Sequence, residues 1–172
     1  MSDGTADIGV IGMGVMGANL ALNMAEKGFR VAVQNRDPAK AFAVRDDNPE
    51  LAANLVPAET LEAFVQSLKK PRIAVFMIPA GKPVDDEIER IRPLLEAGDV
   101  MVDAGNADFN DTVRHSREME GTGMKFVGMG VSGGELGARH GPSMMVGGAE
   151  DVYPLLEPVL TRIAAQYQGT PC

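Results

Sequence analysis

The chain has 172 residues, with 24 acidic against 16 basic, a formal charge of −8 and a single cysteine, Cys172. A chain of this length can form one domain that buries about 70% of its unfolded surface, enough for a core without metal or disulfide staples. The negative charge and scattered basic residues argue against nucleic acid as a partner. One cysteine excludes an internal disulfide, and no leader or membrane-length apolar run is present, so a cytoplasmic protein without membrane attachment is expected.

Along the chain, Asp7-Ile-Gly-Val-Ile-Gly-Met-Gly-Val-Met-Gly17 reads as a short apolar strand running into the spacing Gly12-x-Gly14-x-x-Gly17 and then a helix. In that context Gly12 permits a tight turn, Gly14 lets the backbone approach a pyrophosphate, and Gly17 lets the helix pack on the strand. The unpaired amides at the helix N-terminus then favour an anionic diphosphate. Leu20, Ala21, Met24 and Ala25 recur at helical spacing, and Arg30-Val-Ala-Val-Gln34 is the next strand, which closes a βαβ start. After that strand an NAD site usually carries an acid for the ribose hydroxyls, but here stand Asn35, Arg36 and Asp37. Asn35 can bond a hydroxyl or phosphate oxygen, and Arg36 can face a 2′-phosphate or stack on adenine, which predicts NADP rather than NAD. Asp37 opposes that preference unless, as Asp37-Pro38 suggests, its carboxylate turns inward to cap the next helix.

That helix should run from Pro38 to about Arg45, followed by a polar turn at Asp46 to Pro49 and another helix from near Ala58 with Leu61, Phe64, Val65 and Leu68 on one face. Ile73 to Ile78 is an unbroken apolar run suited to a strand covered on both faces. A helix carrying Val84, Ile88 and Ile91 inward follows Pro79 to Gly81, then a strand at Val100 to Val102 and a helix capped by Asn110 or Asp111 through about Glu120. Lys125 to Val127 and Ser143 to Val146 are further strands, and Val152 to Ala165 the final helix. The alternation specifies an α/β fold, a doubly wound, mostly parallel Rossmann-type sheet with helices on both faces. Its ligands belong beyond the strand ends, where Asn35, Arg36, Pro79 to Gly81, Asp103 to Asn106 and Ser132 to Gly134 should share one crevice.

Taken together, the glycine turn, Asn35-Arg36, Val84-Asp-Asp86, Asp103-Ala-Gly-Asn106, Gly130-Val-Ser-Gly-Gly-Glu135 and Gly137-Ala-Arg-His-Gly-Pro-Ser143 resemble the N-terminal part of the decarboxylating 6-phosphogluconate dehydrogenases. The related 3-hydroxyisobutyrate dehydrogenases share the glycine turn and a Ser-Gly-Gly element, but resemble the chain less around Asn106 and Arg139. The resemblance implies a single NADP-binding domain over 1–172, with the coenzyme (NADP, NAD being possible) spanning Gly12, Met13, Gly14, Val15, Met16 and Gly17, then Asn35, Arg36 and Asp37, then Ile78, Pro79 and Ala80. It places Asn106 where nicotinamide meets substrate, and Ser132, Gly133 and Gly134 around 6-phosphogluconate. It further implies a homodimer and a following helical domain holding the general-base lysine and the proton-donating glutamate, so that no catalytic residue is expected within these 172. The family commonly has Thr or Ser at Asp37, Lys at Pro79, Gly at Ala104 and Tyr at His140.

Two other classes fit parts of the chain. Gly130-Val-Ser-Gly-Gly134 satisfies the Gly-x-Ser-x-Gly elbow of serine hydrolases, yet after Ser132 the histidine His140 precedes Asp151, the reverse of the acid-then-histidine order. A non-catalytic NADP(H)-binding sensor is the other. No metal is expected from two histidines and a terminal cysteine. His115 is expected to be an exposed helix residue and His140 a loop donor. Met13 and Met16 would border the cofactor, while Met24, Met77, Met101 and Met145 fill the core. Asp85, Asp86 and Glu87 would enrich a helix N-terminus. Asp103 should anchor the turn to Asn106 through backbone amides.

Overall fold

The structure is a computed structural model that describes residues 5–172. Seven strands form one sheet in the order β3-β2-β1-β4-β5-β6-β7. They are β1 (Ile8–Ile11), β2 (Val31–Gln34), β3 (Leu55–Ala58), β4 (Ile73–Phe76), β5 (Val100–Asp103), β6 (Lys125–Ser132) and β7 (Ser143–Gly147). All neighbours pair in parallel except β6 and β7, which are antiparallel. The order reverses between β1 and β4, so the crevice at their carboxyl ends is the switch point where such sheets take ligands.

The strand pattern decides what each face buries. Ile8 and Val10 of β1, Val31 and Val33 of β2, Ile73 and Val75 of β4, and Val100 and Val102 of β5 share one core with Leu20 and Met24 of α1 (Val15–Glu26). Ala41 of α2 (Pro38–Asp46) and Leu156, Leu160 and Ile163 of α7 (Tyr153–Ile163) complete that side. The alternate residues Ile11, Ala32, Ala74, Phe76 and Met101 meet Phe64 of α3 (Leu61–Ser67) and Val84, Ile88 and Ile91 of α4 (Lys82–Ile91) on the other. Period-2 alternation thus builds two cores on one sheet, as a doubly wound fold requires.

Several elements differ from expectation. β3 pairs with β2 where a polar turn leading to a helix was expected; it contains Pro57, tolerated because this strand lies at the sheet edge. The helix α5 (Phe109–Glu118) is capped by Asp108, whose side chain accepts from Asn110 N–H at 2.8 Å, rather than by Asn110 or Asp111. A short helix, α6 (Gly134–His140), occupies a stretch expected to be loop, so His140 ends a helix and is exposed there. Met145 is 56% exposed on β7 and is not core filler. After α7 the small hairpin of β8 (Gln166–Tyr167) and β9 (Thr170–Pro171) closes the described chain. Among the described residues no helix is long and apolar enough to cross a membrane.

Candidate functional site

The glycine turn leaves β1 through two positions that tolerate no side chain. Gly12 has φ +102°, and a Cβ there would run into the carbonyl oxygen of Met77 after β4. A Cβ on Gly17 would strike the carbonyl oxygen of Gly12, so the first turn of α1 sits directly on the end of the strand. Gly14 differs, because a Cβ at that position meets nothing within 4 Å. No protein atom demands glycine at 14, and what its bareness provides is room above the helix start. The first backbone bond there runs from Ala18 N–H to Gly14 C=O at 2.9 Å, so the amides of Val15, Met16 and Gly17 precede the helical ladder. Gly14 and Val15 are exposed and Met16 is half-buried.

Met13 points the other way. Its side chain is 6% exposed and packs in the core, and its N–H donates to Asn35 Oδ1 at 2.9 Å. Asn35 Nδ2 in turn donates to the Asp37 carbonyl at 3.1 Å. Asn35 therefore ties the end of β2 to the glycine turn, a role beyond the ligand contact read from its amide. Asp37 caps α2, its Oδ1 accepting from Ala39 N–H at 3.2 Å with Pro38 at the first helical position. Its carboxylate is turned toward the first turn of that helix. Arg36 is exposed and makes no ion pair among the described residues.

On the other side of the crevice, the β4 end continues through half-buried Ile78 and exposed Pro79 and Ala80. The carbonyl of Ile78 lies where a Cβ on Gly105 would fall, so the loop after β5 abuts the loop after β4. Asp103 Oδ1 accepts from Gly105 N–H at 2.9 Å, which anchors the turn as expected, and exposed Asn106 sits beyond it at φ +64°. Asparagine is among the few residues other than glycine that adopt this conformation readily. Asp103 is 2% exposed and its Oδ2 has no partner among the described residues; burial raises its carboxyl above the usual range.

The raised value carries a pH signature. A carboxyl that holds its proton more tightly when folded contributes stability below the ordinary value of 3.8, and that contribution is lost as pH rises through the raised value. Asp103→Asn keeps an acceptor for Gly105 N–H but cannot titrate. The expected result is that the melting temperature of the wild type, relative to D103N, declines as pH rises from about 4 toward 7. Thermal melts of both proteins across that interval check it.

His115 of α5 is 1% exposed, not an exposed helix residue; its Nε2 lies 2.7 Å from Asp85 Oδ1 of α4, and its ring is tilted against Phe126. Arg114 also donates to Asp85 at 2.7 Å, and these two partners, Arg114 first, hold the Asp85 carboxyl below its ordinary range. Asp85 is therefore a tie between α4 and α5, while Asp86 pairs with Lys82 on the surface. Glu87 is 4% exposed and pairs with Arg90 at 2.7 Å; burial pushes its carboxyl up despite that partner.

Ser132 ends β6 and is exposed, followed by Gly133 at φ +127° and Gly134 at φ +62°, where α6 begins. Asn23 of α1, fully buried, donates to the carbonyls of Ala138 in α6 and Ile163 in α7, at 3.1 and 3.2 Å. Arg139 pairs with Glu26 and lowers its carboxyl, adding a second tie between α6 and α1. Among the described residues neither His115 nor His140 hydrogen-bonds Ser132, and His115 is engaged with Asp85, so no hydrolase triad is assembled. No group of three or more potential metal-ligating side chains occurs among the described residues.

The glycine turn, the β2 end and the β4 and β5 loops surround the switch-point crevice, and Ser132 to Gly134 lie at the carboxyl end of β6 in the same sheet. Arg90 and Glu59, which the sequence does not single out, line a cavity of about 380 Å³ beside Arg36; Glu59 comes there because β3 pairs with β2, and Arg90 reaches it from α4.

Residues 7–170 match the family described as the NAD binding domain of 6-phosphogluconate dehydrogenase. The chain is 49% identical over 166 residues to a decarboxylating 6-phosphogluconate dehydrogenase of Chlamydia pneumoniae, covering 96% of this chain and 34% of that protein. It is 51% identical over 167 residues to the NAD(+)-dependent, decarboxylating enzyme of Bacillus subtilis, covering 96% and 35%. The Plasmodium falciparum 6-phosphogluconate dehydrogenase, solved in its apo form and in complex with its cofactor NADP+ and its substrate 6-phosphogluconate, superposes with a TM-score of 0.90 at 36% identity, covering 96% of this chain and 35% of that one. The chain thus spans about a third of the length of the curated relatives it matches. On this match and on the fold that bears it, the chain belongs to the 6-phosphogluconate dehydrogenase family, as its NAD-binding domain.

Proposed function

We propose that residues 1–172 form the coenzyme domain of an NADP-dependent, decarboxylating 6-phosphogluconate dehydrogenase, an oxidoreductase of the pentose phosphate pathway that works in the cytoplasm as a homodimer. The observation that carries this reading is the start of α1, where Gly12 and Gly17 are closed to side chains while Gly14 is open and the amides of Val15 to Gly17 precede the helical ladder. That shape and polarity suit a diphosphate. NADP+, when bound, supplies the hydride acceptor for oxidation of the substrate.

The chain's own groups then bind and orient. Arg36, without an ion pair among the described residues, would hold the adenosine 2′-phosphate, and the bond of Asp37 to Ala39 N–H would keep that carboxylate from repelling it. Ile78, Pro79 and Ala80 flank the crevice next to the Asn106 turn. The Asn106 amide, which both donates and accepts, would hold nicotinamide on one side and substrate on the other. The Ser132 hydroxyl and the backbone of Gly133 and Gly134 receive the substrate carboxylate without adding a competing charge. The general base and the proton donor belong to the helical domain that the family resemblance implies beyond these residues. The 172-residue chain by itself is therefore expected to bind coenzyme and to turn over 6-phosphogluconate slowly, since loss of a general base forfeits about 10²- to 10⁴-fold.

Calorimetric titration of the chain with NADPH and NADH tests the reading. The expected result is tighter binding of NADPH, with the ratio reduced about tenfold in Arg36→Gln, the equivalent of one charge-assisted hydrogen bond. Absence of heat with either nucleotide overturns the coenzyme assignment. A ratio at or below one, unchanged in R36Q, overturns the NADP preference alone and places the chain with NAD(+)-dependent relatives such as that of Bacillus subtilis.

A further inference from the structure

Beside Arg36 lies a cavity of about 380 Å³ lined by Gln34 and Arg36 from the end of β2, Glu59, Thr60 and Glu62 from the start of α3, and Arg90 from α4. Two of these groups are already committed. Thr60 caps α3 by accepting from Ala63 N–H at 3.1 Å, and Glu62 sits in the first turn of the same helix, where its charge meets the positive end of the dipole. Arg90 is different. Its Nη1 donates to Glu87 Oε2 at 2.7 Å, and Glu87 is buried, so the head of a long side chain is fixed from below. The remaining donors of Arg90 have no partner among the described residues, and the side chain stays 46% exposed at the cavity wall.

The placement of unpaired donors bears on what the cavity can hold. Its lining carries two guanidinium groups and two carboxylates, so Arg36 alone would face a surface that is acidic overall. Arg90 adds a second guanidinium group; Glu87 holds its Nη1, and its remaining donors, with those of Arg36 on the same cavity, offer an anionic group partners from two elements. The geometry points to Arg90 as a second specificity-determining residue for the 2′-phosphate of the coenzyme, held in place by Glu87 acting as a positioning residue. This inference rests on the coenzyme reading proposed above. It assigns to α4 a part in discriminating NADP from NAD that the residues after β2 do not hold by themselves.

The test is calorimetry of the 172-residue chain with NADPH, NADH and, as a probe of the phosphate alone, 2′,5′-ADP against 5′-AMP. In Arg90→Gln the affinity for NADPH and for 2′,5′-ADP should fall about tenfold while NADH and 5′-AMP change less than about twofold. Arg90→Lys, which keeps the charge but loses the planar fork, should fall about threefold and secures the comparison if R90Q folds poorly by circular dichroism. Equal losses for phosphorylated and unphosphorylated ligands, or no loss in either variant, overturn the role of Arg90 while leaving the coenzyme domain standing. Failure of the wild type to bind any of the four ligands removes both readings, and wild-type binding of NADH and 5′-AMP alone removes this one.

Discussion

Alanine at position 14 is expected to leave the fold intact and to abolish most nucleotide binding. The Gly14 backbone has φ −78°, a value any residue adopts, and an added Cβ meets no protein atom within 4 Å. The melting temperature of Gly14→Ala should therefore equal or slightly exceed that of the wild type, because alanine narrows the unfolded ensemble. The methyl group occupies the space above the amides of the first turn, so a diphosphate is held off them and loses one or two charge-assisted bonds, about 10- to 100-fold in affinity. Gly17→Ala is expected to do the opposite. Its Cβ has to displace the Gly12 carbonyl, and overpacking of this kind costs about 3 kcal/mol of stability. Thermal melts and NADPH titrations on the two variants separate a glycine kept for a ligand from a glycine kept for packing. A Gly14→Ala protein that binds normally would show that the helix start is not where the diphosphate rests.

The second large effect is expected at Asn23→Ala. Asn23 is fully buried in α1, and its single amide group serves carbonyls in two other helices, α6 and α7. Removing it leaves both carbonyls unpaired in the core and opens a small void, which outweigh the relief of its own unpartnered Oδ1 and cost about 3 kcal/mol net. For a domain of this size that corresponds to a drop of about 6–12 °C in melting temperature, readable by calorimetry or circular dichroism. The same change loosens α6 against α1, and α6 begins at Gly134, so the proposed Ser132 to Gly134 subsite should weaken as well. A melting temperature within about 2 °C of the wild type would mean that the two bonds contribute nothing net.

How far the sequence discloses this molecule depends on how local each feature is. The sheet and its two-sided cover follow from short apolar runs such as Ile73 to Phe76 and from the inward spacing of Val84, Ile88 and Ile91, and all of these are buried where expected. The glycine turn is legible because its geometry is set within six residues. β3 escapes notice because four residues containing Pro57 carry too little pattern to outweigh their polar neighbours, and only pairing with β2 makes them a strand. α6 escapes because Gly134 and Gly137 argue against a helix that packing on α1 then imposes. His115 looks exposed in a polar helix; the one signal for its burial is its spacing four residues before Met119, which is also buried. At the site, the residues that end strands could be named, but their mutual bonds could not. Nothing near Asn35 announces that it holds Met13, 22 residues earlier, and nothing near Arg90 announces that it shares a cavity with Arg36.

The approach of Gly105 to the Ile78 carbonyl joins the two lips of the crevice along a bare backbone seam. Because no side chain separates them and Asp103 pins the inner end of the turn, the two loops meet backbone to backbone, and any side chain at 105 has to push them apart. Widening that seam, as Gly105→Ala would, is therefore expected to move the Asn106 turn away from the loop after β4, a displacement that the chemical shifts of Asn106 and Ile78 would register together.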